Sequence, residues 1–278
     1  MQLHNYTEWE AVSYVQLFIF AIFFVEFAFS IIYKLRKKAQ LKPILPFCIL
    51  FSLFVLLKLT GGILGLVFMH QLTFNLNLFI PTYIFDTISL GFITRSISSL
   101  IEHMLNHQDA ADSGQLPQRP MIQFKVDDIE TQKDADDNSF AKNFWPFKLV
   151  TVVLLVAVAL SIAGTSQATE TDPPSSVGTL LKTSSVLFLI GVLLMIGILV
   201  YILCMGEQFN TVAKLLILCL VILIVRCVYS MLAAFHGISF QTPNKYMILF
   251  GDYKYYTFLG LMIEALAGIG VLATFWYW

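Results

Sequence analysis

Seven stretches of this chain are apolar over about 20 residues each, the length an α-helix needs to cross a hydrocarbon core about 30 Å thick. They lie at 11–33, 44–69, 78–100, 148–169, 183–205, 212–236 and 255–278. No water is present inside a bilayer to satisfy backbone N–H and C=O groups, so segments of this kind must close their own hydrogen bonds as helices. The expectation is an all-α, multi-pass membrane protein, with residues 1–278 forming a single domain of seven transmembrane helices. Composition agrees. Apolar residues make up 58% and charged residues 13%, against about 45–50% and 25% in soluble chains, too little polar surface to cover a soluble domain of this size.

Several function classes fall away at once. The net charge is -1 and no broad basic face is present, so a nucleic-acid partner is excluded. Cys48, Cys204, Cys219 and Cys227 all sit in apolar spans without CxxC spacing, which argues against structural disulfides and zinc knuckles. Glu8 and Glu10, with no Lys or Arg before them, mark the first span as a retained helix rather than a signal peptide.

Orientation follows from basic residues in the loops. Lys34, Arg36, Lys37, Lys38 and Lys42 follow the first span, and Arg119, Lys125, Lys133, Lys142 and Lys148 lie between the third and fourth. The opposite side holds Lys182, Lys245 and Lys254. This places the N-terminus outside and the C-terminus in the cytoplasm, in the plasma membrane or an endomembrane. Asn5 begins an Asn-Tyr-Thr sequon on the outer side, a candidate glycosylation site. The segment 107–143 is rich in Asp and poor in large apolar residues, and reads as a flexible acidic cytoplasmic loop between helices 3 and 4. No internal repeat announces a two-halved transporter.

Five spans carry an ionisable residue near mid-depth: Glu26, Lys58, Asp86, Arg226 and Glu264. A charge at a helix centre costs roughly 2.5–3.5 kcal/mol to insert, so all five are expected to face inward. Arg226 and Glu264 occupy matching depths on successive helices, as do Lys58 and Asp86, whereas Glu26 is left over with Ser30 one turn away. Gly260, Glu264 and Gly268 share a face, and Gly61, Gly62 and Gly65 follow Lys58, a small-residue pattern that lets helices approach closely. Two readings compete for this set: internal ion pairs that fix helix register, or a ligand or ion site.

Other motifs point to less. Glu102, His103 and His107 include an i, i+4 histidine pair, yet no further ligands complete a metal site; no metal and no cofactor are expected. A GxSxG elbow, a P-loop, a Rossmann fingerprint and a Ser-His-Asp set are all lacking. The Asp-Arg-Tyr and Asn-Pro-x-x-Tyr motifs of the large receptor family are also missing. Phe20, Phe23, Phe24 and Phe27 read as lipid contacts and core filling, and Tyr253, Tyr255, Tyr256, Trp276 and Trp278 as interface anchors.

The stretch Gly206-Glu207, with Leu215 to Ser230 ending Val225-Arg226-Cys227-Val228-Tyr229-Ser230 and then Ala233-Ala234-Phe235, resembles an uncharacterised family of fungal seven-helix integral membrane proteins, a domain of unknown function. Lys58 to Leu64 and Leu261 to Ala265 fall where that family has a basic residue before glycine and an acidic residue in the last helix. The resemblance covers nearly the whole chain outside the acidic loop. More remotely, the architecture is similar to fungal RTA-like lipid-translocating exporters. That likeness implies handling of sphingoid bases or other amphiphiles and attaches to Arg226, Tyr229 and Glu264.

The expected function is therefore non-enzymatic binding or translocation of an amphipathic, lipid-like molecule among membrane lipids, with Lys58, Asp86, Arg226 and Glu264 lining or bracing a cavity. One alternative is a receptor-like sensor signalling through the acidic loop. Another is a membrane-embedded cyclase or hydrolase using Glu26, Asp86 or Glu264 as a general acid.

Overall fold

The computed structural model describes residues 6–36, 44–71, 76–112, 145–167, 176–205, 210–236 and 244–277. Seven helices fill these segments: α1 (Tyr6–Arg36), α2 (Leu45–Met69), α3 (Leu76–Asp112), α4 (Trp145–Gln167), α5 (Ser176–Met205), α6 (Asn210–His236) and α7 (Tyr253–Tyr277). All seven are long and apolar enough to cross a membrane, and the chain is a multi-pass integral membrane protein. Among the described residues there is no strand.

The helices outrun the apolar stretches that announce them. α1 begins at Tyr6, five residues before its apolar run, and α3 continues to Asp112, beyond the expected start of the acidic loop at 107. Apolarity marks the part of a helix inside hydrocarbon, but the i to i−4 ladder continues into the interface until a cap or breaker ends it. At α2 the start is set by Pro46 in the first turn, where its missing N–H leaves no hydrogen bond unmade. The acidic segment from 113 to 144 and the sequon residue Asn5 lie outside the described residues.

Consecutive helices pack side by side, and α7 closes the bundle by lying against both α6 and α1. α3 runs through the middle, touching α2, α4, α5 and α7, and two thirds of its span is buried. α1 is the most exposed, with 28% of its span buried. Toward the C-terminal end of α1, an aromatic core holds it to α2 and α7: Phe27 meets Phe51 and Phe275 at centroid distances of 4.9 and 5.7 Å. Phe47 stacks between them. Phe20, Phe23 and Phe27 are thus core residues, whereas Phe24 is exposed.

At the opposite end, residues 244–252 between α6 and α7 fold inward as a lid. Met247, Ile248 and Leu249 are buried in it. Its closure depends on Gly251, where a Cβ would stand 2.5 Å from the Lys245 carbonyl oxygen; the Gly251 amide donates to Met247 O at 2.7 Å and the Asp252 amide to Lys245 O at 3.0 Å. Leu249 takes φ +66°, a left-handed conformation that a bulky residue adopts only where its surroundings impose it. Two helices pin the lid from either side: Trp9 Nε1 of α1 donates to Gly251 O at 3.2 Å, and the Tyr229 hydroxyl of α6 donates to Tyr246 O at 2.9 Å.

Candidate functional site: a buried ring of four charges

Four helices each deliver one charged side chain to a single point beneath the lid. Lys58 of α2, Asp86 of α3, Arg226 of α6 and Glu264 of α7 are all at most 5% exposed. Lys58 Nζ lies 2.5 Å from Asp86 Oδ1 and also pairs with Glu264 Oε2. Arg226 Nη2 donates to Asp86 Oδ2 at 2.7 Å, and its Nε donates to Glu264 Oε1 at 2.7 Å. Each carboxylate thus sits between both cations and each cation between both carboxylates, closing a ring with two positive and two negative members.

Charges buried this deeply need their remaining hydrogen-bonding capacity filled as well. The surrounding side chains do this for Asp86 and Arg226, whereas Glu264 Oε2 has only the Lys58 ion pair. The Tyr256 hydroxyl donates to Asp86 Oδ1 at 2.8 Å and is 3.1 Å from Gln16 Oε1, while Gln16 Nε2 donates to the Lys58 carbonyl at 2.8 Å. Arg226 Nη1 donates to Ser230 Oγ at 2.5 Å, and the guanidinium lies 5.3 Å from the Tyr229 ring centroid, within cation–π range.

A wide turn in α7 makes this convergence possible. Residues Tyr256–Leu261 form a π-helical turn inside the helix. On a regular α-helix Tyr256 and Glu264, eight positions apart, would point about 80° away from each other. The wider i to i−5 turn takes up that angle, and both side chains reach the ring.

The glycines lie where the ring helices meet their neighbours. A Cβ on Gly62 would stand 3.0 Å from Leu17 Cγ, one on Gly65 3.0 Å from Ser13 Oγ, and one on Gly268 2.7 Å from Phe23 Cε2. Gly61 faces Gln16, and Gly260 faces the rings of Tyr256 and Tyr229. They set the separation of α1, α2, α6 and α7 around the ring.

Two expectations from the sequence are corrected here. Glu26 does not join the other charges; it is exposed on the outer surface of α1, and it is Ser30, one turn on, that turns inward and donates to the Glu26 backbone carbonyl at 2.8 Å. Phe23, Phe27 and Ser30 take the buried face, and position 26, about 60° round the helix from Phe23 and about 100° from Phe27, falls beyond its edge. Tyr256 is not an interface anchor but a buried ring ligand, 4% exposed. Gln16, Ser230 and the lid residue Ile248 were not singled out by sequence at all. Only a register between α1 and α2 would have flagged Gln16, a lone amide in an apolar span.

Among the described residues the cavities that touch the ring are small. Two cavities of mixed lining flank it, of about 20 and 30 Å³, room for about one water molecule each. Asp86 of the ring and Ile248 of the lid line both. Among the described residues no group of three or more His, Cys, Asp or Glu side chains is placed to hold a metal ion; His103 is buried in α3, and the side chain of His107 lies outside the described set.

No curated protein and no solved structure matches this chain. Residues 125–276 match a family described as a domain of unknown function, DUF7702. The match spans α4 to α7 and so includes Arg226, Tyr229, Tyr256 and Glu264, the half of the ring contributed by the C-terminal helices. On that match, which covers more than half of its length, the chain belongs to the DUF7702 family.

Proposed function

We propose that this protein binds and moves an amphipathic, lipid-like molecule, and that the molecule's polar group is received in the compartment between the charge ring and the lid. The observation that carries this reading is the shared lining of the two cavities: Asp86 of the ring and Ile248 of the lid border both. Withdrawal of the lid would merge them into one chamber with a charged floor and walls drawn from all seven helices. The left-handed Leu249 beside Ile248 supports a segment held closed by its two pins rather than by its own preference. The distribution of basic loop residues supports placing the lid on the exterior or lumenal side. Each carboxylate is engaged by two cations, an arrangement suited to holding helices and orienting a zwitterionic or charged head group, which weighs against the cyclase or hydrolase alternative.

Purified protein in lipid nanodiscs, titrated with a fluorescent long-chain amphiphile and followed by anisotropy, tests this. Ile248→Ala, which opens space along both cavities, should strengthen binding several-fold. Ile248→Trp, which fills them, should abolish it. Equal binding by both variants and the parent, at unchanged melting temperature, removes the chamber from consideration.

A further inference from the structure

Glu26 and Arg95 carry charges that stand apart from the ring, on different outer faces of the bundle. Glu26 projects from the exposed side of α1 among Ile22, Val25 and Phe29, each at least half exposed. Among the described residues its carboxylate has no ion-pair partner. A carboxylate in hydrocarbon without a partner is strongly disfavoured, and intramembrane ionisable residues pair with something.

The second is Arg95 of α3. It stands in a groove of about 440 Å³ between α3 and α4, floored by Gly91 and edged by Leu50, Ile88, Phe92, Leu155 and Val158. Of the groove's lining side chains, only Arg95 and Thr151 are polar. Arg95 Nη1 donates to Thr151 Oγ1 at 2.7 Å and to Ser98 Oγ at 3.1 Å, both neutral acceptors. No carboxylate among the described residues lies within ion-pair distance of it; Glu102, two turns on along the same face of α3, attracts the guanidinium electrostatically without a direct pair.

The two charges share a depth. The Tyr256 hydroxyl touches both Gln16 of α1 and Asp86 of α3, which fixes those two positions at one level, and α1 and α3 run in the same direction. Glu26 lies ten residues past Gln16, about 15 Å along the axis, and Arg95 nine past Asp86, about 14 Å. Copies of one protein in one bilayer also share depth. When two stand side by side, Glu26 of one meets the level of Arg95 of the next.

We infer that the protein self-associates in the membrane head to tail, α1 of one copy seating in the α3–α4 groove of its neighbour so that Glu26 pairs with Arg95. The large apolar side chains flanking Glu26 fill the apolar length of the groove. Because the face and the groove differ, the contact is heterologous, and each copy offers both halves: the association closes into a ring or propagates as a row.

The full-length chain, labelled separately with donor and acceptor fluorophores and reconstituted in phosphatidylcholine liposomes, reads this out by energy transfer. The parent should associate, and Glu26→Arg or Arg95→Glu alone should lose at least tenfold in association. A one-to-one mixture of these two variants should associate again, since every contact in an alternating row is then complementary. Glu26→Leu, which removes the charge from the exposed mid-face of α1, should also associate weakly, so that poor insertion of an arginine variant does not decide the result. Transfer no greater than random proximity for the parent, or no recovery in the mixture, overturns the inference. So does an anionic phospholipid that copurifies with a monomeric parent and is lost in Arg95→Glu, because the groove is then a lipid site.

Discussion

The ring charges are coupled pairwise, and that coupling has a measurable form. Replacing Lys58 with Met leaves two buried carboxylates facing one guanidinium, and breaking a buried pair in this way costs about 3–5 kcal/mol. Replacing Lys58 and Asp86 together by Met and Leu leaves Arg226 and Glu264 as a neutral pair. The double variant is expected to lose far less than the sum of the two single losses, read from thermal unfolding in detergent as a double-mutant cycle; strict additivity would show that the four charges act independently. The residue types were legible because hydrocarbon tolerates so few of them, and the depths of Lys58 with Asp86 and of Arg226 with Glu264 were legible from counting. The fourfold closure was not, because nothing local sets the distance between α3 and α6. Nor was the direction of Glu26: its neighbours Phe23, Phe24, Val25 and Phe27 are apolar on every side, so the sequence around it has no polar face to betray which way the helix turns.

Among the elements, α7 departs furthest from what its sequence announces. Its composition reads as one ordinary apolar span, and no Pro marks the π-helical turn at Tyr256–Leu261, where Gly260 is the weakest helix former by type. The turn exists because the tertiary contacts of Tyr256 and Glu264 require it. Spans were readable because burying backbone in hydrocarbon leaves only one solution; helix ends were not, since capping and interface contacts decide them. Glycine substitutions separate these regimes. At Gly268, alanine would press on Phe23 at 2.7 Å, and the overpacking should destabilise by about 1–3 kcal/mol as α1 and α7 are pushed apart. At Gly197 in α5 a Cβ meets nothing within 4 Å, so alanine should stabilise by about 0.5–1 kcal/mol through helix propensity alone. Melting temperatures of the two variants should move in opposite directions.

For the whole molecule, the proposed orientation follows from the loops: with seven crossings the two chain ends would lie on opposite sides, and the basic residues favour an exterior N-terminus. An epitope placed within residues 113–144 should be reached by antibody only after permeabilisation, whereas one placed before Tyr6 should be reached on intact cells or sealed lumen-out vesicles; the reverse pattern would invert the lid and the groove with it. The bundle's most enclosed helix, α3, supplies both Asp86 to the ring and Arg95 to the outer groove, so a shift of α3 along its axis would be felt at both.

The ring also bears on how such a chain enters the membrane during synthesis. Lys58 and Asp86 belong to the hairpin α2–α3, and Arg226 and Glu264 to the hairpin α6–α7, made much later. Each hairpin carries its own counter-ion, so it can leave the insertion machinery already electrically balanced. The links between hairpins form last, when the early and late parts of the chain find one another, and a ribosome that stalled before α6 would leave an inserted but unlocked first half.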